Sequence, residues 1–143
     1  MKSDGNAVQH IAEPCVRDFT FIAAIYGFLG VAVGAFGAHV LKDRLTPQYM
    51  SVYETGVWYH LIHTVALLGV ALLIGILGGS KWLKLAGWFF IAGILLFSGS
   101  LYALAITGIA ILGAITPFGG LCFLAGWTCL AVGALKAGTS PGG

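Results

Sequence analysis

Three imidazoles stand out as the chemistry-bearing side chains of this sequence. His39, His60 and His63 lie in or beside long apolar segments of a chain that is only 8% charged. An ionisable group at membrane depth is costly to keep unless it is paired or used, so each is a candidate functional residue. His60 and His63 are one helical turn apart and share a face, so they can act together. Such a pair suits three kinds of chemistry. It can form a hydrogen-bonded layer between helices, with Glu54, serine and tyrosine as partners. It can handle a proton or a small solute. With at least one further ligand it can hold a metal or haem, and His39 and Glu54 are the only good candidates for that ligand. Other reactive groupings are missing: there is no Gly-x-Ser-x-Gly, no His-Glu-x-x-His, no pair of carboxylates and no Cys-x-x-Cys. The expectation is therefore a protein that is not an enzyme and has no catalytic residues. It carries no cofactor unless the histidines take a metal or haem.

The elements that position these residues follow from composition. Of 143 residues 59% are hydrophobic, and the mean hydropathy is +0.96. A soluble domain carries about a quarter charged residues, three times the share found here. The net charge of +2 is too small and too scattered for a nucleic-acid surface. Four apolar segments, 19–40, 57–77, 83–106 and 115–135, hold no Asp, Glu, Lys or Arg between their second and penultimate residues. Each has the ~20 residues that a helix needs to cross ~30 Å of hydrocarbon. This predicts an all-α membrane protein, a four-helix transmembrane bundle over 19–136. A polar N-terminal tail (1–18) and a short C-terminal tail (137–143) flank it. Gly78-Gly79-Ser80 marks a tight turn, and Thr46-Pro47 reads as an N-cap followed by proline at the first helical position. Residues 47–55 then read as a short interfacial helix between spans one and two. Thr116-Pro117 reads as a second cap of the same kind.

Four spans put both termini on one side, with Lys2, Arg17, Lys81, Lys84 and Lys136; the other side has only Lys42 and Arg44. That bias predicts cytoplasmic termini. It also gathers the polar residues of four distant stretches into one outer layer: His39, Glu54, Tyr59, His60, His63, Ser98, Ser100, Tyr102 and Thr116. The inner half is nearly free of polar side chains. Glycines carry the packing. Gly27, Gly30, Gly34 and Gly37 step by three, four and three along span one, and Gly119, Gly126 and Gly133 recur every seven residues in span four. Such stripes let helix backbones approach closely, within the bundle or toward an identical or different partner.

The motifs Gly-Ala-Phe-Gly-Ala-His (34–39), Tyr-His-Leu-Ile-His-Thr (59–64), Phe-Ser-Gly-Ser-Leu-Tyr (97–102) and Thr-Pro-Phe-Gly-Gly (116–120), followed by Phe-Leu-Ala-Gly-Trp (123–127), occur in that order. They resemble those of a family of small four-span bacterial inner-membrane proteins of unknown function, itself similar to a small transmembrane protein family of animals. The resemblance covers roughly residues 19–136. It implies a multi-pass protein of the bacterial inner membrane and no particular reaction. It also implies that many bacterial members have Gln where this chain has His60, while His39 and His63 match the pattern. Gln replaces His more readily in a hydrogen-bond layer than in a metal site. The functional expectation is a packing or accessory subunit of a membrane assembly, whose partners are the lipid bilayer and a homo-oligomer or larger membrane complex. The alternative is a small solute-, proton- or metal-handling protein that uses the histidine layer.

Overall fold

The computed structural model describes residues 14–137. It consists of four long helices: α1 (Pro14–Leu41), α2 (Pro47–Leu77), α3 (Lys81–Thr107) and α4 (Ala110–Ala137). All four are long and apolar enough to cross a membrane, and no strand occurs among the described residues. The expected tails lie mostly outside the described residues. Within them, residues 14–18 already belong to α1 and residue 137 ends α4.

Local chemistry sets the ends of these helices. Thr46 caps α2, its hydroxyl accepting from the Tyr49 N–H, with Pro47 at the first turn. Ser80 caps α3 in the same way, accepting from the Leu83 N–H. Gly78 and Gly108, which follow α2 and α3, have φ of +83° and +71°, values that glycine adopts without the Cβ clash other residues suffer. After Gly108, α4 opens with a 3₁₀ turn, Ala110–Ala114, and becomes α-helical from Thr116.

One expectation needs correction. Residues 47–55 are not a separate interfacial helix but the first turns of the 31-residue α2. Gly56 does not break that helix, because α3 packs closely over it: a Cβ there would lie 2.8 Å from the Tyr102 ring. The α-helical part of α4 does begin at Thr116, with Pro117 in its first turn, and the Thr116 hydroxyl meets that of Ser100 on α3. Two features had no sequence signal. α1 ends in a π-helical turn (Gly37–Leu41), where the Lys42 N–H reaches back five residues to the Gly37 carbonyl, and α3 contains another at Ile94–Ser98.

The helices pack in chain order, α1 on α2, α2 on α3 and α3 on α4, so α2 and α3 form the centre. About 44% of each central span is buried, against 17% of α1 and 28% of α4, which leave most of their surface to lipid. Apolar tails supply no hydrophobic drive between helices in a bilayer, so close van der Waals fit must do so. The glycines provide it. On α1, the positions of Gly37, Gly34, Gly30 and Gly27 are covered in turn by Tyr53, Val57, Leu61 with His60, and Thr64 of α2. On α4, Gly119, Gly126 and Gly133 receive Phe97, Phe90 and Leu83 of α3, which are themselves spaced by seven. The packing runs in both directions, since Gly93 of α3 is covered by Phe123 of α4. Both stripes are thus filled within the chain. The main core, with Phe19, Leu67, Val70, Ile74, Leu83 and Phe90, is continuous with this packing.

Candidate functional site

The polar layer forms at the end of the bundle away from the termini. Its members fall into separate networks rather than one site. His63 on α2 points toward α4. The Trp127 indole N–H donates to His63 Nε2 at 3.2 Å, and His63 Nδ1 lies 2.8 Å from the Tyr59 carbonyl. An indole can only donate and a carbonyl can only accept, so these partners fix the ring: Nδ1 carries the proton and Nε2 offers its lone pair to Trp127. The imidazole is stacked on Phe123 with centroids 3.5 Å apart and is buried, at 5% exposure. Both nitrogens are therefore taken, and neither lone pair nor proton is left for a metal or a substrate.

His60 belongs to another network, between α2, α1 and α3. Its Nδ1 lies 3.2 Å from the Tyr102 hydroxyl, and the Tyr26 ring of α1 meets it edge-on at 5.7 Å. Its Nε2 is buried and has no hydrogen bond of good geometry, beyond a loose approach to the Tyr26 backbone. The two histidines do not act together as expected. Three residues of helix rotation separate them enough that one is claimed by α1 and α3 and the other by α4. Tyr53, whose ring packs 5.1 Å from that of Tyr102, donates to the Val33 carbonyl at 2.7 Å and ties α2 to α1.

A third network joins α3 to α4. The Ser100 hydroxyl donates to the Phe97 carbonyl at 2.9 Å, so it can only accept from Thr116, whose hydroxyl lies 2.8 Å away. Ser98 is fully buried and its hydroxyl finds no partner. His39 and Glu54 are exposed and join none of these networks. Among the described residues no three His, Cys, Asp or Glu side chains come together as a metal site requires, so neither His39 nor Glu54 completes one with the pair.

Tyr59 is the remaining member of the layer. Its ring packs on Phe97 at 4.4 Å and forms one wall of a groove between α2 and α4, the two helices that barely meet. The groove has a volume of about 720 Å³. Trp58, Tyr59 and Ile62 line one side, Leu121, Leu124 and Trp127 the other, and Phe97 and Phe123 close its depth. Sequence reasoning missed Trp127 and Phe123. One signal was present: an indole twelve residues on from the start of span four at 115, far from the interfacial belt where tryptophan usually lies, needs a hydrogen-bond partner.

Comparison with known proteins settles the family. The family described as protein of unknown function (DUF423) matches residues 33–120. The UPF0382 membrane protein YwdK of Bacillus subtilis (strain 168) is 48% identical over 121 residues, which cover 85% of this chain and 98% of that protein. The chain belongs to the DUF423 family. A UPF0382 membrane protein of Staphylococcus epidermidis is 43% identical over 85% of this chain and 98% of its own. The UPF0382 inner membrane protein YgdD of Escherichia coli (strain K12) is 42% identical over 84% and 91%. No solved structure matches the chain. Like its relatives, this DUF423 member is a membrane protein, and the four apolar helices fit that assignment.

Proposed function

We propose that this DUF423 protein is a non-enzymatic accessory subunit of a membrane assembly, in the inner membrane with both termini cytoplasmic. The observation that carries the reading is the inward use of the polar layer. His63 Nε2, the Ser100 and Thr116 hydroxyls, the Tyr53 hydroxyl and the His60–Tyr102 pair bind one helix to another, while His63 Nδ1 is held within α2 by the Tyr59 carbonyl. Groups held this way specify helix packing and are themselves engaged rather than offered to a substrate. The surface for a partner is the back of α1. This is the least buried helix, and it presents Phe21, Phe28 and Val31 outward at 66%, 73% and 66% exposure. The alternative use of the histidines for protons, solutes or metals requires His39 to join the pair, and the geometry favours the structural role instead. Extraction in native nanodiscs, without detergent, tests this. A second polypeptide in fixed ratio, lost when Phe28→Asn is introduced, supports the reading; a particle holding this chain alone refutes it.

A further inference from the structure

The α2–α4 groove is an open concavity of about 720 Å³ that no described residue fills. A transmembrane helix from elsewhere is one occupant of such a groove, but its length argues against that. The lining of α4 runs from Pro117 to Trp127, ten helical steps or about 15 Å. That is half of a ~30 Å hydrocarbon layer, the depth of a single leaflet. A crossing helix would be matched over half its length, whereas one lipid chain would be matched throughout. The volume of about 720 Å³ lies within the ~300–1,000 Å³ range of ligand sites. The polar atoms at its deep end, His63 and Trp127, satisfy each other, so they oppose no apolar chain.

The top of the groove adds a charge. Trp58 also lines a smaller crevice of about 160 Å³ on its other side, between α1 and α2, with Gly34, Gly37, Tyr53 and Glu54. Glu54 is one turn above Trp58, exposed, and makes no ion pair with any described residue. An apolar groove one leaflet deep, joined across one indole to a crevice bearing a free carboxylate, has the shape of an amphiphile with a cationic head. An ammonium there would meet both the carboxylate and the Trp58 face. The loop between α1 and α2 carries Lys42 and Arg44, which suit the phosphate of such a head group.

We propose that the groove and crevice together bind one aminophospholipid of the phosphatidylethanolamine class, with an acyl chain between α2 and α4 and its ammonium at Glu54. The protein would be exchanged into vesicles of equimolar phosphatidylethanolamine, phosphatidylglycerol and phosphatidylcholine, released into mild detergent and weighed by native mass spectrometry. One phosphatidylethanolamine per chain is expected, retained at least tenfold over either competitor. Glu54→Gln should keep a lipid but erase the head-group preference. Gly120→Leu should abolish retention of every lipid, because a Cβ at Gly120 has its nearest neighbour 3.9 Å away and the added side chain has only the groove to enter. Leu124→Trp, a second groove-filling change at an exposed position, covers the case in which Gly120→Leu does not fold. Equal retention of the three lipids, an unchanged preference in Glu54→Gln, or undiminished retention in a folded groove-filled variant would overturn the proposal.

Discussion

Gly119 and Gly120 are neighbours on α4, and the structure predicts that alanine has opposite effects at the two positions. A Cβ at Gly119 would lie 2.3 Å from the Phe97 amide nitrogen and 2.7 Å from its Cα. Ordinary contact begins at 3.4 Å, so α3 and α4 must part locally by about 1.1 Å (3.4 − 2.3), and the obstacle is backbone, which cannot rotate away. Overpacking costs ~1–3 kcal/mol, and a gap of that size forfeits about a quarter to a half of each neighbouring dispersion contact, so Gly119→Ala should cost about 3 kcal/mol. At Gly120 the nearest atoms are 3.9 Å away on the Phe97 ring. Gly120→Ala therefore meets no obstacle and gains up to ~1 kcal/mol of helix propensity. Unfolding titrations in mixed micelles, followed by far-UV circular dichroism, measure the difference, expected near 4 kcal/mol. Equal stabilities for the two variants would refute the heptad packing of α4 on α3.

Gly126→Ala should cost less, about 1–2 kcal/mol, because the obstacle is the Phe90 ring at 2.7 Å; Phe90→Leu should partly rescue it, whereas Phe97→Leu should not rescue Gly119→Ala, as a double-mutant cycle would report. Ser98→Ala should stabilise the protein by about 1 kcal/mol in the same titration, since it removes a fully buried hydroxyl that has no partner. Trp127→Phe leaves His63 Nε2 unsatisfied and should destabilise by ~1–2 kcal/mol, with a coupling to His63→Phe of about 0.6–1.7 kcal/mol, the range for hydrogen bonds between membrane helices. Added Zn²⁺ should leave the melting temperature unchanged, as His63 has no lone pair free and no third ligand joins it among the described residues; a saturable rise would contradict this.

The four spans were legible because lipid demands long uncharged helices, and a run of ~20 apolar residues has few other uses. The turn at Gly78 and the cap at Thr46 were legible because each is a local device. The glycine stripes were visible too, but not their direction. Spacing shows that Gly119, Gly126 and Gly133 share a face; only the structure shows that Leu83, Phe90 and Phe97 fill it. The interfacial helix was misread because Thr46-Pro47 marks a start with equal strength for a short helix and a long one. The polar layer was legible in depth, since 1.5 Å per residue fixes depth along a helix. It was not legible in azimuth, so His60 and His63 passed for partners although α3 engages one and α4 the other. Trp127 was passed over because its indole reads as one more apolar ring in an apolar span unless its N–H is counted as a donor that needs a partner, and the π-helical turns had no signal in the residues that form them.

On the proposal that the histidine layer holds helices together and performs no chemistry, His63 is the most direct place to look. ¹⁵N NMR of the imidazole in lipid bilayers at neutral pH, with Trp127 indole-labelled, reads the ring's protonation and its partner at once. A neutral ring protonated at Nδ1 is expected, with Nε2 accepting a hydrogen bond from the Trp127 indole. A ring protonated at Nε2, a charged ring, or an Nε2 with no coupling to the indole would contradict it.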